Sequence, residues 1–229
     1  MKIGILTAMT SEYEQLAALL ENGAECTVGK FKYLIGRLGK NEIVLRQCGI
    51  GKVNAAVGTA ELIRSFEPSC IISTGVAGGI DKQLDVMDVV VSSSIVHHDV
   101  WCGMGCECGQ VQGMPTMFNA DKELYETALG IDTENATRIH GGLICTGDQF
   151  ITSRTELDRI KSKFPAGLAV DMESAAIAQT CHIYNVPFVS FRIISDTPGV
   201  DKHIQQYENF WGEMANRSFG ITRKYLLAL

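Results

Sequence analysis

Three carboxylates and one guanidinium stand where apolar runs of this chain end. Glu12 follows the run Lys2–Met9, Glu173 follows Leu168–Asp171, and Asp196 follows Pro187–Ile194, which itself carries Arg192. Each has an ordinary use on its own: a Glu near a helix start gains from the helix dipole, with Ser11 as the expected cap, and an acid after a strand often caps a helix or pairs on the surface. Three acids converging at strand ends beside an arginine suit proton transfer, or stabilisation of positive charge on a bound small molecule. Asp171 and Glu173 share a side if extended geometry continues between them.

Two glycine runs flank these acids. Gly75-Val76-Ala77-Gly78-Gly79 follows a buried strand and Gly49-Ile50-Gly51 precedes a helix. Neither ends in Gly-Lys-Ser/Thr, so neither is a phosphate-binding P-loop, and the first is not Gly-x-Gly-x-x-Gly, which disfavours a dinucleotide fold. They read equally as tight strand-to-loop turns or as places where backbone approaches a ligand. The cluster Cys102, Cys106, Cys108, with His97 and His98 upstream, lacks the spacing of a zinc knuckle. Packing is its default use, and neither a metal nor a cofactor is expected.

Positioning these residues requires an alternation of strands and helices. Strands are expected at 2–9, 33–38, 42–49, 70–75, 88–96, 141–146, 168–171 and 187–194, and helices at 11–22, 52–66, 121–129, 154–164, 174–184 and 206–227. Runs such as Cys70-Ile71-Ile72-Ser73 are apolar throughout, the pattern of strands covered by helices on both faces. Gly39-Lys40-Asn41 joins two strands as a hairpin, so the α/β sheet is mixed, and no linker divides the chain into domains. In such folds ligands bind beyond the carboxyl ends of strands. That draws attention to Ala8-Met9, Gly49–Lys52, His97-His98-Asp99, Gly147–Ile151, Asp171–Glu173 and Ser195-Asp196.

The chain has 229 residues, 46% hydrophobic and 20% charged, ample for a globular core. A formal net charge of −6 argues against nucleic acid and against anionic membrane as partners, which need clustered Lys and Arg. No apolar run reaches the ~20 residues of a membrane span, and no leader is recognisable at Met1-Lys2-Ile3-Gly4-Ile5-Leu6. A cytoplasmic location is therefore expected, in which the eight cysteines stay reduced. Cys48, Cys70, Cys145 and Cys181 are expected in the core.

Six blocks in order carry a resemblance: Lys2–Met9 with Glu12, Gly49–Val53, Thr74–Gly79, Thr146–Ile151, Ala169–Ala176 and Ile194–Asp196. Along essentially its whole length the sequence resembles the bacterial 5′-methylthioadenosine/S-adenosylhomocysteine nucleosidases, within the purine nucleoside phosphorylase superfamily. The resemblance implies one domain over residues 1–229, a three-layer α/β/α sandwich around a mixed, mostly parallel sheet. It also implies a homodimer in which the segment 101–118 of one subunit lends residues to the other's pocket. The implied reaction is hydrolysis of an N-glycosidic bond, with Glu12 as the base that activates water and Asp196 as the acid that protonates adenine N7. A raised Asp196 pKa would go with that role. Glu173 and Met172 correspond to ribose-binding residues, Arg192 to a residue near water and ribose, Phe150 to the ring stacked on the purine, and Ile151 to the reader of the adenine edge. Ser195 adjoins Asp196 among the substrate-binding residues, Val76 lies near the water, and Met9 and Ile50 surround the alkylthio end.

The sequence departs from the family pattern at Asp171 (commonly Glu), Val76 (often Ser), Cys106 and Cys108 (commonly aromatic), the stretch 197–203, and Tyr207 (a lid Phe). These changes fall on the pocket for the 5′-substituent more than on the chemistry, so aminodeoxyfutalosine and 5′-deoxyadenosine stay open as substrates. Inside the superfamily the rival is a phosphorylase, which needs a cationic phosphate pocket; the segment 7–14 offers two carboxylates and no Arg. A non-catalytic nucleoside-binding protein is the rival from another class, and it has no need of all three acids.

Overall fold

A computed structural model describes residues 1–133, 137–197, 203–211 and 215–229. Among the described residues ten strands and seven helices alternate: β1 Lys2–Thr7, α1 Thr10–Ala17, β2 Glu21–Val28, β3 Phe31–Leu38, β4 Asn41–Gln47, α2 Lys52–Phe66, β5 Cys70–Gly79, β6 Val89–His97, β7 Phe118–Asn119, α3 Lys122–Leu129, β8 Ile139–Thr146, α4 Arg154–Lys163, β9 Gly167–Asp171, α5 Ser174–Tyr184, β10 Phe188–Asp196, α6 His203–Asn209 and α7 Ala215–Ala228.

Helices cover both faces of one sheet because successive side chains of a strand enter opposite cores. Ile3 and Ile5 of β1 pack with Leu16 of α1, Leu124 of α3 and Phe219 of α7, while Leu6 packs with Leu62 of α2 and Ala175 of α5. In β5, Cys70 and Ile72 face the first core and Ile71 the second. Such strands have no polar side, which is why they read as unbroken apolar runs. α4 closes a third cluster through Leu157 and Ile160.

The strands run β10-β6-β8-β9-β5-β1-β4-β3-β2, with β10 also paired to β5 and β7 to β6. Parallel pairings join β4, β1, β5 and β10, and separately β6, β8 and β9. The remaining five described pairings are antiparallel but mostly shorter, so the sheet is mixed and most of its paired residues run parallel. The cause is that β10 meets β6 head to tail and β9 meets β5 head to tail, which brings two parallel sets together.

Several sequence expectations are corrected. The first helix stops at Ala17 and residues 21–28 form β2, an edge strand paired only with β3 and largely exposed. With no buried face, it shows no apolar alternation to read. Ser11 lies inside α1; the capping position is Met9, whose N–H donates to Glu12. The glycine run 75–79 is not a loop but the end of β5, paired with β10 and β9. Cys48 is half-buried, whereas Cys70, Cys145 and Cys181 are buried as expected. The single helix expected at 206–227 is represented by α6 and α7; residues 212–214 lie outside the described residues, as do 198–202 of the unusual stretch 197–203. No helix of the described residues is long and apolar enough to cross a membrane.

Candidate active site

A cavity of about 650 Å3 lies beyond the ends of β1, β5, β8, β9 and β10. Of the twelve residues singled out from the sequence, eleven line it: Met9, Glu12, Ile50, Val76, Phe150, Ile151, Met172, Glu173, Ser195, Asp196 and Tyr207. Arg192 does not; it lies beneath the floor, 1% exposed. Ala8, Ala77, Gly78, Gln149, Val170 and Asp171 complete the wall. All six belong to the blocks already noticed; Asp171 had stood out as an acid beside Glu173, whereas the small or ordinary side chains of the other five carried no chemical signal.

Glu12 sits in the third position of α1 and turns its carboxylate back into the protein. Its Oε2 accepts from the N–H of Ala8 (2.9 Å) and of Met9 (3.0 Å), and its Oε1 accepts from the N–H of Val76 (3.0 Å). Space for it exists because residue 75 is glycine: a Cβ there would collide with Glu12 Oε1 and stand 2.7 Å from Arg192 Nη1. Burial raises the Glu12 pKa above the carboxylate norm, while Arg192 and the three N–H groups pull the other way.

Arg192 organises the floor. Its Nε is 2.9 Å from Asp171 Oδ2, its Nη2 donates to Ser73 Oγ at 2.8 Å, and Ser174 Oγ accepts from both Nε and Nη2. Glu173 Oε2 is 3.8 Å from Nη2. Glu173 begins α5, just past the end of β9, and its Oε1 accepts from the N–H of Gly51 at 3.0 Å. One buried guanidinium thus faces Asp171, Glu173 and Glu12. Burial, set against Arg192 and reinforced by the neighbouring carboxylates, lifts Glu173 to about 7.

That shift gives stability a pH dependence. Unfolded, Glu173 titrates near its ordinary 4.5; folded, it keeps its proton to about 7. The folded state therefore binds the extra proton between these values, so this contribution is complete below 4.5 and lost as pH rises through about 7. Asp81, Asp88 and Asp99, held below the usual range, act in the opposite sense under acid conditions, and His97 and His98, lowered by burial, do so nearer neutrality, while Glu12 acts with Glu173. Compared with the unaltered protein, Glu173→Gln should show a smaller fall, or a larger rise, of Tm as pH passes from 5 to 8. An unchanged slope in the variant would place the titrating group elsewhere.

The other wall comes from the end of β10. Ile194 pairs with Ala77, a bulge follows, and Asp196 pairs with Gly78. Ser195 Oγ donates to Asp196 Oδ1 at 2.7 Å, and the Asp196 side chain is buried. Phe150 is 56% exposed at the mouth, edge-on to Tyr207 with ring centroids 6.0 Å apart. The Tyr207 hydroxyl donates to Met9 Sδ at 3.4 Å. Cys102 is exposed and Cys106 and Cys108 are partly so. Among the described residues no three His, Cys, Asp or Glu side chains are placed to hold a metal ion.

Acids thus face one cavity from two sides, over a buried arginine on a mixed sheet, and sequence comparison places this chain in a known family. The chain belongs to the phosphorylase superfamily, whose profile matches residues 2–227. It is 42% identical over 222 residues to the 5′-methylthioadenosine/S-adenosylhomocysteine nucleosidase of Desulfotalea psychrophila, covering 96% of this chain and 95% of that one. It is similar in structure to the Streptococcus pneumoniae nucleosidase of the same name with a transition-state inhibitor, at TM-score 0.93 and 35% identity over 100% and 99% of the two chains. The Colwellia psychrerythraea nucleosidase in complex with adenine gives TM-score 0.91 and 35% identity over 100% and 96%.

Proposed function

We propose that this chain is an N-ribosyl hydrolase that cuts 5′-methylthioadenosine and S-adenosylhomocysteine to adenine and the thioribose product. Relatives named for that reaction match it over nearly their full length. The observation that favours water over phosphate is the charge of the cavity: among the described residues no Lys or Arg lines it, and Arg192 below is engaged by Asp171, Ser73 and Ser174. Against the described walls a phosphate dianion would meet carboxylates and no lining cation.

In this reading Glu12 takes a proton from water, whose oxygen attacks the anomeric carbon. The bond from that carbon to N9 breaks, its electron pair moves into the purine, and Asp196 delivers a proton to N7 so that neutral adenine leaves. The flattened, cationic ribose at the transition state is stabilised by Glu173 and the neighbouring acids. Met172 and Glu173 hold the ribose, Ser195 steadies Asp196, Phe150 stacks on the purine and Ile151 presents its backbone to the adenine edge. Val76 lies by the water, and Met9, Ile50 and Tyr207 enclose the 5′-substituent. Arg192 acts from beneath by fixing Asp171 and Glu173.

The working unit is a single domain assembled as a homodimer, with segment 101–118 of the second copy completing the pocket. Exposed Ile50, Val53, Val57, Trp101 and Met104 support that, since apolar side chains of this size gain most from being covered. Sedimentation reporting an active monomer would remove this part. Eight unpaired cysteines fit the reducing cytoplasm, a location that cell fractionation would check.

The test is adenine release from 5′-methylthioadenosine with and without phosphate. Release in phosphate-free buffer, with free methylthioribose as the second product, is expected. Release that requires phosphate would make the chain a phosphorylase.

A further inference from the structure

Residues 147–153, between β8 and α4, have no regular secondary structure, yet they carry Phe150 and Ile151 into the cavity. Phe150 is mostly exposed, so its own packing fixes it weakly. What holds this loop is a closed ring of polar contacts outside the cavity wall. The Lys52 N–H donates to Asp148 Oδ1 at 2.8 Å, and the Asp148 N–H donates to Asp99 Oδ2 at 2.9 Å. The ring closes through Lys52 Nζ, which reaches Asp99 Oδ1 at 2.8 Å and Oδ2 at 2.9 Å. Three separate segments meet here: the start of α2, the end of β6 and the start of the purine-side loop. Burial works against charge on Asp99, but the Lys52 hydrogen bond and the Asp148 N–H hold its carboxyl below the usual range.

The ring also reaches the opposite wall. α2 has no side-chain cap of its own, because its capping position is Gly51, held at φ +94°. Its first N–H groups are taken by carboxylates from elsewhere: the Gly51 N–H by Glu173 and the Lys52 N–H by Asp148. Both acids gain from the positive end of the helix. The start of α2 therefore sets the distance between Glu173 and the loop bearing Phe150.

We infer that Lys52, Asp99 and Asp148 form a positioning ring that holds the purine side of the cavity at a fixed distance from Glu173, and so sets affinity for the adenine ring without taking part in bond cleavage. This rests on the nucleoside reading of the cavity. Ring members touch neither Glu12 nor Asp196, so loosening the ring should cost binding and spare chemistry. Lys52 and Asp99 side chains are about one-fifth exposed, so the pair is charge-assisted but not fully shielded from salt.

The experiment compares Lys52→Met, Asp99→Asn and Lys52→Arg with the unaltered protein, measuring kcat, KM for 5′-methylthioadenosine and adenine affinity by calorimetry. Lys52→Met and Asp99→Asn should each raise KM and weaken adenine binding about tenfold, near 1.4 kcal/mol, while kcat stays within about twofold. Combining them should add little, since either breaks the same ring. Lys52→Arg should recover most of the affinity, a rescue that a general loss of stability would not give. Unchanged KM and adenine affinity in both variants, or a fall in kcat at constant KM, overturns the ring's role. Calorimetry needs no turnover: adenine binding without hydrolysis in the unaltered protein sinks the reaction and leaves the ring to be judged on affinity, whereas failure to bind adenine sinks both.

Discussion

Asp196→Asn should lower kcat for adenine release by about three orders of magnitude, the scale of a lost general acid. Near 25 °C that is roughly 4 kcal/mol of barrier. The substitution keeps the shape: the amide oxygen can still accept from Ser195 Oγ, as Asp196 Oδ1 does at 2.7 Å. Its NH2 can still donate a hydrogen bond to a purine nitrogen, but it has no proton to give up. KM and adenine affinity should therefore change little while turnover collapses, the pattern of an interaction needed only in the transition state. Rapid-quench and steady-state assays on the variant decide it. Turnover within tenfold of the unaltered enzyme would remove Asp196 from the acid role.

Glu12→Gln should be nearly as damaging to kcat, by about 10² to 10⁴, since it deletes the proposed base. It should also cost stability. Both Glu12 oxygens accept backbone N–H groups, two on Oε2 and one on Oε1. An amide can offer only one acceptor oxygen, so its NH2 must oppose at least one of these N–H groups. A buried donor left unmatched costs about 1–3 kcal/mol, and in a protein of this size Tm should drop by several degrees. A Tm loss with intact kcat would show that Glu12 is a structural anchor of the Ala8-Met9 turn and not the base. In the unaltered enzyme its raised pKa should bring the acid limb of kcat/KM above the usual carboxylate range.

Much of the site could be read in the sequence because strand ends are marked by a change in residue type. Glu12, Glu173 and Asp196 interrupt apolar runs, and all three line the cavity. Sequence did not reveal that Arg192 sits below the floor, since strand alternation fixes a face but not a depth. Nor did it show that the glycines of residues 75–79 continue β5. Local propensity reads glycine as a turn, whereas here the absence of Cβ at Gly75 makes room for Glu12, a requirement set by residues 63 positions away in the chain. β2 escaped notice because an exposed edge strand has no buried side to leave a pattern. Lys52, Asp99 and Asp148 each stood in a segment already marked as a strand end, yet nothing local linked three residues that meet only in the folded sheet.

The floor, with its guanidinium beneath several acids, bears on which nucleosides can enter the cavity. Adenine nucleotides share the purine and the ribose with thionucleosides. They differ by an anionic phosphate on the 5′ carbon. Even with Glu173 protonated and Asp196 holding the proton it donates, Asp171 balances Arg192, leaving the Glu12 carboxylate to face that phosphate. Like charges some 4 Å apart in a partly shielded pocket repel by about 4 kcal/mol, which would weaken AMP by roughly a thousandfold relative to an uncharged thionucleoside. The same carboxylate that favours a cationic transition state would thus screen the cavity against 5′-phosphorylated purine nucleosides. Inhibition by AMP as strong as by adenosine would contradict that selectivity.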